Sequence, residues 1–404
     1  MDLISKKFEK LGVENAPGQE SLQKEVKLKF RGEKLQGELV DFSHGDVDAH
    51  EPIPGSLNSF IEGFQKGGSQ AYTEYRGGLK TRQDMAKKLG NFTGIKIDPD
   101  REILITSGTQ GALFLAMGAT ISSGDRVAIV EPDYFANRKL VTFFDGQLVP
   151  IPLDYLQENP DGSGLNLEKL EEAFQQGVKI FLFSNPNNPT GAIYSKEEIK
   201  KIAELASIYD ITLIVDELYS RQIFHGFSYY HLCAQNVNPE KILTILGPSK
   251  TESLSGFRLG VAFGSSTIID RMEKLQAIMC LRAAGYCQRV LERWFDEPKG
   301  WMDKRIAVHQ KIRDDLLQIF QEVEGLQIRK TEAGSYIFPK LPPLDVSLSD
   351  FVKILRLHGN VIVTPGTEFG PGFTDSIRLN FSQDPEQAKK AVHRICEMIE
   401  RYRK

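Results

Sequence analysis

The chain has 404 residues, and its 50 lysines and arginines against 54 aspartates and glutamates give a net charge of −4. Hydrophobic residues make up 41% of the chain, which is enough to bury a core and excludes general disorder. The slightly acidic balance argues against a protein that mainly binds nucleic acid, and no apolar run reaches the roughly 18 residues of a membrane span.

Apolar, β-branched segments alternate with helical patterns between residues 101 and 264. The predicted strands span 101–107, 126–132, 147–153, 178–184, 211–217, 241–247 and 258–264. The predicted helices span 110–121, 134–144, 167–176 and 196–209. Ser195 and Glu198 form a capping box at the start of the last of these helices. Continuous apolar strands separated by helices predict an α/β fold whose mostly parallel sheet is covered on both faces.

The last third of the chain follows a different pattern. Helical runs at 268–295 and 301–322 precede short strands at 326–338, 360–363 and 376–381 and a helix at 385–402. This order predicts a smaller α+β domain. We therefore predict a large domain over 41–290, a small C-terminal domain over 291–404, and an N-terminal segment, 1–40, that begins with a helix and packs with the small domain.

Two polar strings follow predicted strands, at the edge of a parallel sheet where ligands bind. Ser-Gly-Thr-Gln at 107–110 opens a helix, whose free backbone N–H groups favour an anion, although simple N-capping also explains it. Asn-Pro-Asn-Asn-Pro-Thr-Gly at 185–191 is a rigid turn, and its three asparagines suggest polar recognition.

Two further strings bring charged groups to the same edge. Asp216 ends an apolar strand, where a carboxylate must find a cationic or hydrogen-bonding partner. Lys250 follows the next strand, with Ser249 before it and Arg258 eight residues later. A lysine in such a loop is either a solvated surface group or a desolvated amine suited to a Schiff base.

In this order and spacing, the four strings resemble those of the class I and II aminotransferases, fold-type I enzymes that depend on pyridoxal 5'-phosphate (PLP). The resemblance extends from about Val40 to Phe381 and makes the predicted large domain the PLP-binding one. It implies that Lys250 forms the internal aldimine with PLP and that Asp216 pairs with the protonated pyridine nitrogen. It also implies that Asn188 and Tyr219 hydrogen-bond the phenolic oxygen of the cofactor.

The resemblance extends to the remaining site residues. It implies that Tyr134 stacks on the cofactor ring and that Tyr72 reaches the phosphate of a neighbouring subunit in a homodimer. Arg378 aligns with the arginine that binds the substrate's α-carboxylate, with Gly45 and Asn188 beside it. The phosphate cup implied by the resemblance comprises Gly108, Thr109, Ser249 and Arg258.

Some positions depart from the family pattern. Gly247 replaces the first serine of the usual Ser-x-Ser-Lys string, so one phosphate-binding hydroxyl is absent. The region around Gly45 also reads differently, and His44 beside it is either a pocket residue or a loop histidine. Arg282 lies near the position at which dicarboxylate-specific relatives place an arginine, but we interpret it as a surface residue.

The four cysteines are scattered and form no CxxC pair, so we expect neither a disulfide framework nor a metal site. The N-terminus lacks the apolar core of a signal peptide, and we expect a cytoplasmic protein without membrane or nucleic-acid partners.

The favoured function is a transaminase that moves an amino group from an L-amino acid to a 2-oxo acid, with PLP as cofactor. A PLP-dependent β-eliminating lyase or cyclopropane-forming synthase of the same fold is the alternative. A PLP-sensing DNA-binding regulator is disfavoured, because only about 40 residues precede Val40 and they are not strongly basic. The sequence alone does not identify the amino donor, the oxo-acid acceptor or the pathway.

Overall fold

The computed structural model describes residues 2–11, 28–45, 49–157 and 162–404. Its helices are α1 (Leu3–Leu11), α2 (Ser56–Gln65), α3 (Gly68–Ala71), α4 (Leu79–Thr93), α5 (Gly108–Thr120), α6 (Phe135–Phe143), α7 (Leu167–Gln175), α8 (Lys196–Ile208), α9 (Ser266–Met279), α10 (Gly285–Gln288), α11 (Trp301–Gln321), α12 (Leu348–His358) and α13 (Pro385–Tyr402). Its strands are β1 (Val40–Asp41), β2 (Ile103–Ser107), β3 (Arg126–Glu131), β4 (Gln147–Pro152), β5 (Ile180–Ser184), β6 (Thr212–Asp216), β7 (Ile242–Leu246), β8 (Leu259–Gly264), β9 (Tyr336–Ile337), β10 (Val361–Ile362), β11 (Thr364–Pro365) and β12 (Ile377–Asn380).

The seven strands between residues 103 and 264 form one sheet in the order β2-β8-β7-β6-β5-β3-β4. Strand β8 runs antiparallel to both of its neighbours, and the other pairings are parallel. The register places Ser184 of β5 beside Asp216 of β6, so these two polar side chains lie at the same carboxyl edge. The predicted α/β fold with a mostly parallel sheet is confirmed.

The sheet is buried on both faces because its strands are apolar at successive positions. On one face Phe181 and Phe183 pack with α7 and α8, and on the other Leu182 and Ile214 pack with α5 and α9. The predicted capping box is confirmed at the start of α8. There the Ser195 hydroxyl accepts a hydrogen bond from the Glu198 N–H at 3.1 Å, and the Glu198 carboxylate accepts one from the Ser195 N–H at 2.7 Å.

The C-terminal elements surround a second core. Strands β11, β12 and β9 form an antiparallel sheet in that order, and helices α11, α12 and α13 pack with it. Strand β1 pairs in parallel with β10, with Val40 opposite Val361. The predicted smaller α+β domain is therefore present.

The N-terminal segment contacts both parts of the molecule. The backbone N–H of Arg31 donates to the Tyr402 hydroxyl at 2.8 Å, and that of Leu35 donates to the His358 carbonyl at 2.9 Å, so this stretch follows α12 and α13. Helix α1 instead packs against α6 of the large sheet. The domain boundaries at residues 40 and 290 remain predictions, and residues 12–27 lie outside the described chain.

Two predicted elements are shorter in the structure. The continuous helix expected over 268–295 is wrong: α9 ends at Met279, and the chain turns through Leu281, whose φ is 64°, before α10 begins. The turn brings the backbone of Gly285 against α3, where a Cβ atom would lie 2.0 Å from the Gln70 carbonyl oxygen. The strand expected over 326–338 is regular only at β9, with an isolated bridge between Gln327 and Lys340.

A buried histidine joins α11 to the chain after β12. His309 is 1% exposed, its ring nitrogens contact the Arg305 carbonyl oxygen at 2.9 Å and the Ser382 hydroxyl at 3.0 Å, and its ring lies 4.4 Å from that of His50. Burial and, to a smaller extent, the neighbouring His50 lower the pKa of His309 to about 3. His309 is therefore neutral in the folded protein at neutral pH.

This histidine makes the stability of the protein pH-dependent. Because its folded pKa lies below its unfolded value of about 6.5, the unfolded chain binds more protons as the pH falls, and stability is lost below about pH 6.5. We expect His309 alone to contribute a loss of about 2 kcal/mol between pH 7.5 and 5. Thermal unfolding at both pH values should show a smaller acid loss for His309→Gln than for the native protein. The exposed His393 on α13 provides the control, His393→Gln; equal acid losses in all three proteins would contradict the prediction.

Candidate active site

A cavity of about 210 Å³ opens at the carboxyl ends of β5, β6 and β7, beside the start of α5. It is lined by Thr109, Gln110, Tyr134, Ser184, Pro186, Asn188, Asp216, Leu218, Tyr219, Ser249, Lys250, Ser255, Arg258 and Tyr336. Most of the residues predicted from the sequence to bind the cofactor are among them. The fold therefore brings together side chains that are as much as 227 positions apart in the chain, from Thr109 to Tyr336.

Lys250 is half-buried in the loop that follows β7. The loop is closed by a hydrogen bond from the Leu254 N–H to the Pro248 carbonyl at 3.2 Å. Among the described residues, no side chain forms a hydrogen bond or an ion pair with the Lys250 amine. That amine is therefore available to a ligand in the cavity.

Asp216 ends β6 and is 6% exposed. Its carboxylate accepts one hydrogen bond, from the Leu218 N–H at 3.0 Å. The pKa of Asp216 is raised to about 6. Burial is the main cause, the Leu218 hydrogen bond opposes it, and the negative charge of Glu217 adds to it. A cationic N–H in the cavity would stabilise the ionised carboxylate, because an opposite charge favours the charged form.

The start of α5 provides a cradle for an anion. Gly108 has a φ of +75°, and a Cβ atom there would lie 2.6 Å from the Arg258 guanidinium. The Ser249 hydroxyl is buried and has no hydrogen-bond partner among the described residues. Free N–H groups at the helix start, a guanidinium and an unpartnered hydroxyl together suit a phosphate group.

The glycine at position 247 has a steric explanation. A Cβ atom there would lie 2.8 Å from the Thr109 methyl carbon and 3.1 Å from the Leu259 carbonyl oxygen. Because Thr109 fills this space, a serine could not be accommodated without a shift. The threonine at the start of α5 therefore explains why glycine, and not the usual serine, stands at position 247.

Of its three asparagines, the turn at 185–191 contributes one to the cavity lining. Asn185 accepts a hydrogen bond from the Tyr194 N–H at 3.3 Å, and Asn187 accepts one from the Thr190 hydroxyl at 2.6 Å, so both hold the loop itself. Asn188 lines the cavity. The expectation that all three asparagines serve recognition is therefore wrong for two of them.

Two tyrosine contacts border the cavity. The Tyr134 hydroxyl donates to the Gln110 side-chain oxygen at 2.9 Å, and the Tyr219 hydroxyl donates to the Tyr336 hydroxyl at 2.8 Å. Sequence reasoning missed Gln110, Ser184, Ser255 and Tyr336 as lining residues. Gln110 and Ser255 lie within strings that were already singled out, whereas Tyr336 comes from a distant strand and has no local signal.

Arg378 of β12 lies beside the cavity rather than in its lining. Its guanidinium donates to the Asn188 side-chain oxygen at 3.1 Å and to the Ser43 carbonyl at 2.9 Å, and it lies 4.4 Å from the centre of the Tyr336 ring. The side chain is buried, and its Nε has no hydrogen-bond partner among the described residues. An N–H without a partner and a rigidly held fork suit a carboxylate ligand.

Gly45 lies next to the segment that follows β12. A Cβ atom at this position would lie 2.5 Å from the Ser382 carbonyl and 2.8 Å from the Asn380 side-chain oxygen, so the close approach requires glycine. His44 is largely exposed and lies 3.4 Å from the Asp41 carboxylate. Residues 46–48 of the same string lie outside the described chain.

Tyr72, a predicted cofactor residue, does not line the cavity. It is 77% exposed, and its ring packs against the Arg282 guanidinium at 5.1 Å. Arg282 is half-buried between Tyr72 and Tyr75, and it donates to the Thr73 carbonyl oxygen. Arg282 is therefore only partly exposed, and its interpretation as a surface residue stays a prediction.

The chain matches the family model of aminotransferase class I and II over residues 38–395. The chain belongs to the class I and II aminotransferases. A solved aspartate aminotransferase from Rhodobacter sphaeroides is 57% identical to this aminotransferase. The match covers 99% of this chain and 100% of the solved chain, and the two structures superimpose with a TM-score of 0.95.

Relatives with lower sequence identity are also named as aminotransferases. An aspartate aminotransferase of Sulfolobus acidocaldarius is 27% identical, over 94% of this chain and 92% of its own. A putative aminotransferase, YugH, of Bacillus subtilis is 28% identical, over 81% and 83% respectively. These findings make the protein a transaminase and do not favour the lyase or synthase alternative.

Aminotransferases of this class use PLP, and the cavity fits that cofactor. The available lysine amine, the buried carboxylate of Asp216 and the anion cradle with its unpartnered Ser249 hydroxyl match the aldehyde, the pyridine nitrogen and the phosphate of PLP in chemical character. Among the described residues, no group of histidine, cysteine and acidic side chains could hold a metal ion, and no helix has the length and hydropathy of a membrane span.

Proposed function

We propose that this aminotransferase takes the amino group of L-aspartate and passes it to a 2-oxo acid. The observation that carries the proposal is the arrangement of Lys250, Asp216 and Arg378 around and beside one cavity. The assignment of aspartate follows the name of the relative that is 57% identical over nearly the whole chain.

Each side chain has a distinct role in this proposal. The Lys250 amine holds the cofactor and then moves the substrate's Cα proton, as a general base and acid. The Asp216 carboxylate keeps a proton on the pyridine nitrogen. Asn188 and Tyr219 hydrogen-bond the phenolic oxygen. When bound, PLP supplies the electron sink that accepts the charge left at Cα.

The remaining residues position the two ligands. Tyr134 packs against the ring of PLP, and Gly108, Thr109, Ser249 and Arg258 hold its phosphate. The Arg378 fork binds the substrate's α-carboxylate, with the backbone at Gly45 next to it. Arg378 is buried beside Asn188, so the bound carboxylate is kept close to the cofactor and away from water.

Product analysis tests the proposal. The purified protein, loaded with PLP, is incubated with a panel of amino acids and 2-oxo acids, and the products are identified. Oxaloacetate from aspartate in excess over the enzyme, formed only when an acceptor is present, supports the proposal. Ammonia with pyruvate would indicate elimination and contradict transamination, and turnover of other donors without aspartate would contradict the substrate.

We further propose that the enzyme is a homodimer with composite sites. Tyr72 follows α3, which contacts α2 and α10, and apolar side chains of these elements and of the nearby chain are exposed: Leu57, Phe64, Tyr72, Ile278 and Leu281. Association would bury this patch and bring Tyr72 to the phosphate of the partner subunit. Sedimentation of the native protein tests the dimer, and a fully active monomer would contradict it.

If Tyr72 enters the partner's site, Arg282 goes with it because the two side chains are in contact. We expect Arg282→Gln to lose at least about tenfold in kcat/KM for aspartate and little for alanine, because only aspartate carries a second carboxylate to pair with this cation. Steady-state kinetics with both donors measures the difference. Arg271, an exposed-surface arginine of α9, provides the control, Arg271→Gln. An equal loss for both donors would contradict the role.

The Arg378 fork makes a second kinetic prediction. Arg378→Lys keeps the charge but removes the planar two-pronged contact, so kcat/KM should fall by about 10²-fold or more for every donor while PLP affinity stays nearly unchanged. The measurements are steady-state kinetics and PLP titration of the apoenzyme. An unchanged catalytic efficiency would exclude the carboxylate role, and a matched loss of PLP binding would indicate a structural defect instead.

We propose that the enzyme works in the cytoplasm. Cys233, Cys280, Cys287 and Cys396 are all free thiols in the structure, a state that a reducing compartment maintains. Cell fractionation followed by detection of the protein tests this location, and recovery outside the cytoplasmic fraction would contradict it.

A further inference from the structure

A buried carboxylate behind the cavity has no role in the mechanism above. Asp133 follows β3 and is 3% exposed, and it does not line the cavity. Its Oδ2 accepts a hydrogen bond from the Ser184 N–H at 2.9 Å. Its Oδ1 accepts one from the Tyr134 N–H at 2.6 Å and another from the Ser184 hydroxyl. Three donors therefore converge on one carboxylate.

These bonds fix the donor-to-acceptor direction of a longer series of hydrogen bonds. An ionised carboxylate only accepts hydrogen bonds, so the single hydroxyl hydrogen of Ser184 is used toward Asp133. The Ser184 oxygen is then left to accept, and the Asn188 N–H donates to it at 3.1 Å. While Asp133 is ionised, the hydrogen bonds therefore run from the Asn188 N–H through the Ser184 hydroxyl to Asp133.

This series of hydrogen bonds connects Asp133 to residues of the candidate active site. Tyr134 and Asn188 line the cavity, and the Asn188 side-chain oxygen accepts from Arg378. Because that oxygen is occupied by the guanidinium, the amide NH₂ of Asn188 is the group left to donate toward the cofactor. Asp133 thus holds, from outside the cavity, the backbone of two residues that line it: Tyr134 directly and Asn188 through Ser184.

We propose that Asp133 is a positioning residue for the PLP site, which sets the placement of Asn188 through Ser184 and that of Tyr134 through its backbone N–H. The inference rests on the role proposed above for Asn188 at the phenolic oxygen. Asp133 itself contacts neither cofactor nor substrate.

The site distinguishes a carboxylate from an amide. In Asp133→Asn, an NH₂ group at the Oδ2 position would face the Ser184 N–H, and one at the Oδ1 position would face the Tyr134 N–H. Either orientation sets a donor against a donor, which is costly in a buried site. An ionised Asp133 is needed for the native arrangement, although burial raises its pKa to about 7 against the effect of the Ser184 and Tyr134 hydrogen bonds.

The test uses the visible absorbance of PLP bound to the protein, titrated with pH in the absence of substrate. When the Asn188 donor is lost, the proton between the phenolic oxygen and the lysine nitrogen is held more tightly, so the midpoint rises. We expect a rise of about one pH unit for Asn188→Ala, since the lost hydrogen bond is to a charged oxygen. Asp133→Asn and Ser184→Ala should each raise the midpoint by about half a unit or more.

A double-mutant cycle shows whether Asp133 acts through Ser184. The double variant should shift no further than the larger single shift, because both changes break one chain. Asp125→Asn is the matched control. Asp125 pairs with Lys179 and lies just before the start of β3, whereas Asp133 lies after its end. The absorbance midpoint of this variant should therefore stay at the native value. Thermal unfolding of each variant reports whether it is folded, and Ser184→Ala decides the test if Asp133→Asn fails to fold.

The results for the variants distinguish a failure of the role proposed for Asp133 from a failure of the role proposed for Asn188. A shift for Asn188→Ala without one for Asp133→Asn or Ser184→Ala would overturn the inference and leave the proposed site intact. Additive shifts in the double variant would overturn the route through Ser184. No shift for Asn188→Ala would remove the proposed role of Asn188 and the inference with it, while PLP binding and transamination would be judged by the product analysis.

Discussion

Lys250→Ala should abolish transamination while the protein still binds PLP without a covalent bond. The lysine amine is available in the cavity, and the proposed mechanism uses it both to hold the cofactor and to move the Cα proton. We expect kcat to fall by at least about 10⁴-fold, the upper range for a general acid–base group. The phosphate cradle at Gly108 and Arg258 is unchanged in the variant, so PLP should remain bound through it.

Borohydride reduction provides a measurement that does not depend on substrate. It should fix PLP to the peptide that contains Lys250 in the native enzyme and to no lysine in the variant. Lys241→Ala, which removes a surface lysine paired with Asp210, serves as the control and should keep native activity. Labelling of a different lysine, or native turnover by Lys250→Ala, would show that the assignment is wrong.

Asp216→Ala should leave the fold intact and slow the reaction by about 10³-fold or more. Without this carboxylate the pyridine nitrogen loses its proton, and the ring accepts charge from Cα less well. The rate of Cα–H exchange in labelled solvent measures the affected step directly. Asp210→Ala, which breaks the same surface ion pair as the lysine control, tests for an unspecific loss.

The size of the effect decides the role of Asp216. A variant within about tenfold of the native rate corresponds to only about 1.4 kcal/mol in the barrier and would count against an electron-sink function. Asp216→Glu keeps the charge on a longer side chain and should retain more activity than the alanine variant. Equal loss in both would mean that the position tolerates no change, whatever the charge.

The fold of the large sheet could be predicted because its signals are local. Each strand is an apolar run bounded by turns, and the polar residues that end β5 and β6 come to one edge by parallel pairing alone. Lys250, Asp216 and Asn188 could therefore be placed together before the structure was known. The family resemblance then supplied their chemical roles, which spacing by itself does not contain.

Other features depend on contacts between distant segments and had no sequence signal. Tyr336 reaches the cavity from the small domain, and the break after Met279 follows from the close packing of Gly285 on α3. Asp133 was not singled out from the sequence, since only the fold shows that Ser184, 51 positions later, donates to it twice. Residues that act through a neighbour are hidden from the sequence because their partners are set by topology.

The pairing of β1 with β10 has a consequence for the order in which the protein is made. The seven strands of the large sheet are all present once residue 264 has been synthesised. Val40 leaves the ribosome early, but its strand partner, Val361, and the Tyr402 hydroxyl that anchors Arg31 are made near the end. Because domains form as their residues become available, the large sheet can fold during translation, while the first segment waits for the last helix. The part of the site that we propose to bind the substrate, which includes Arg378, is therefore expected to form late in folding.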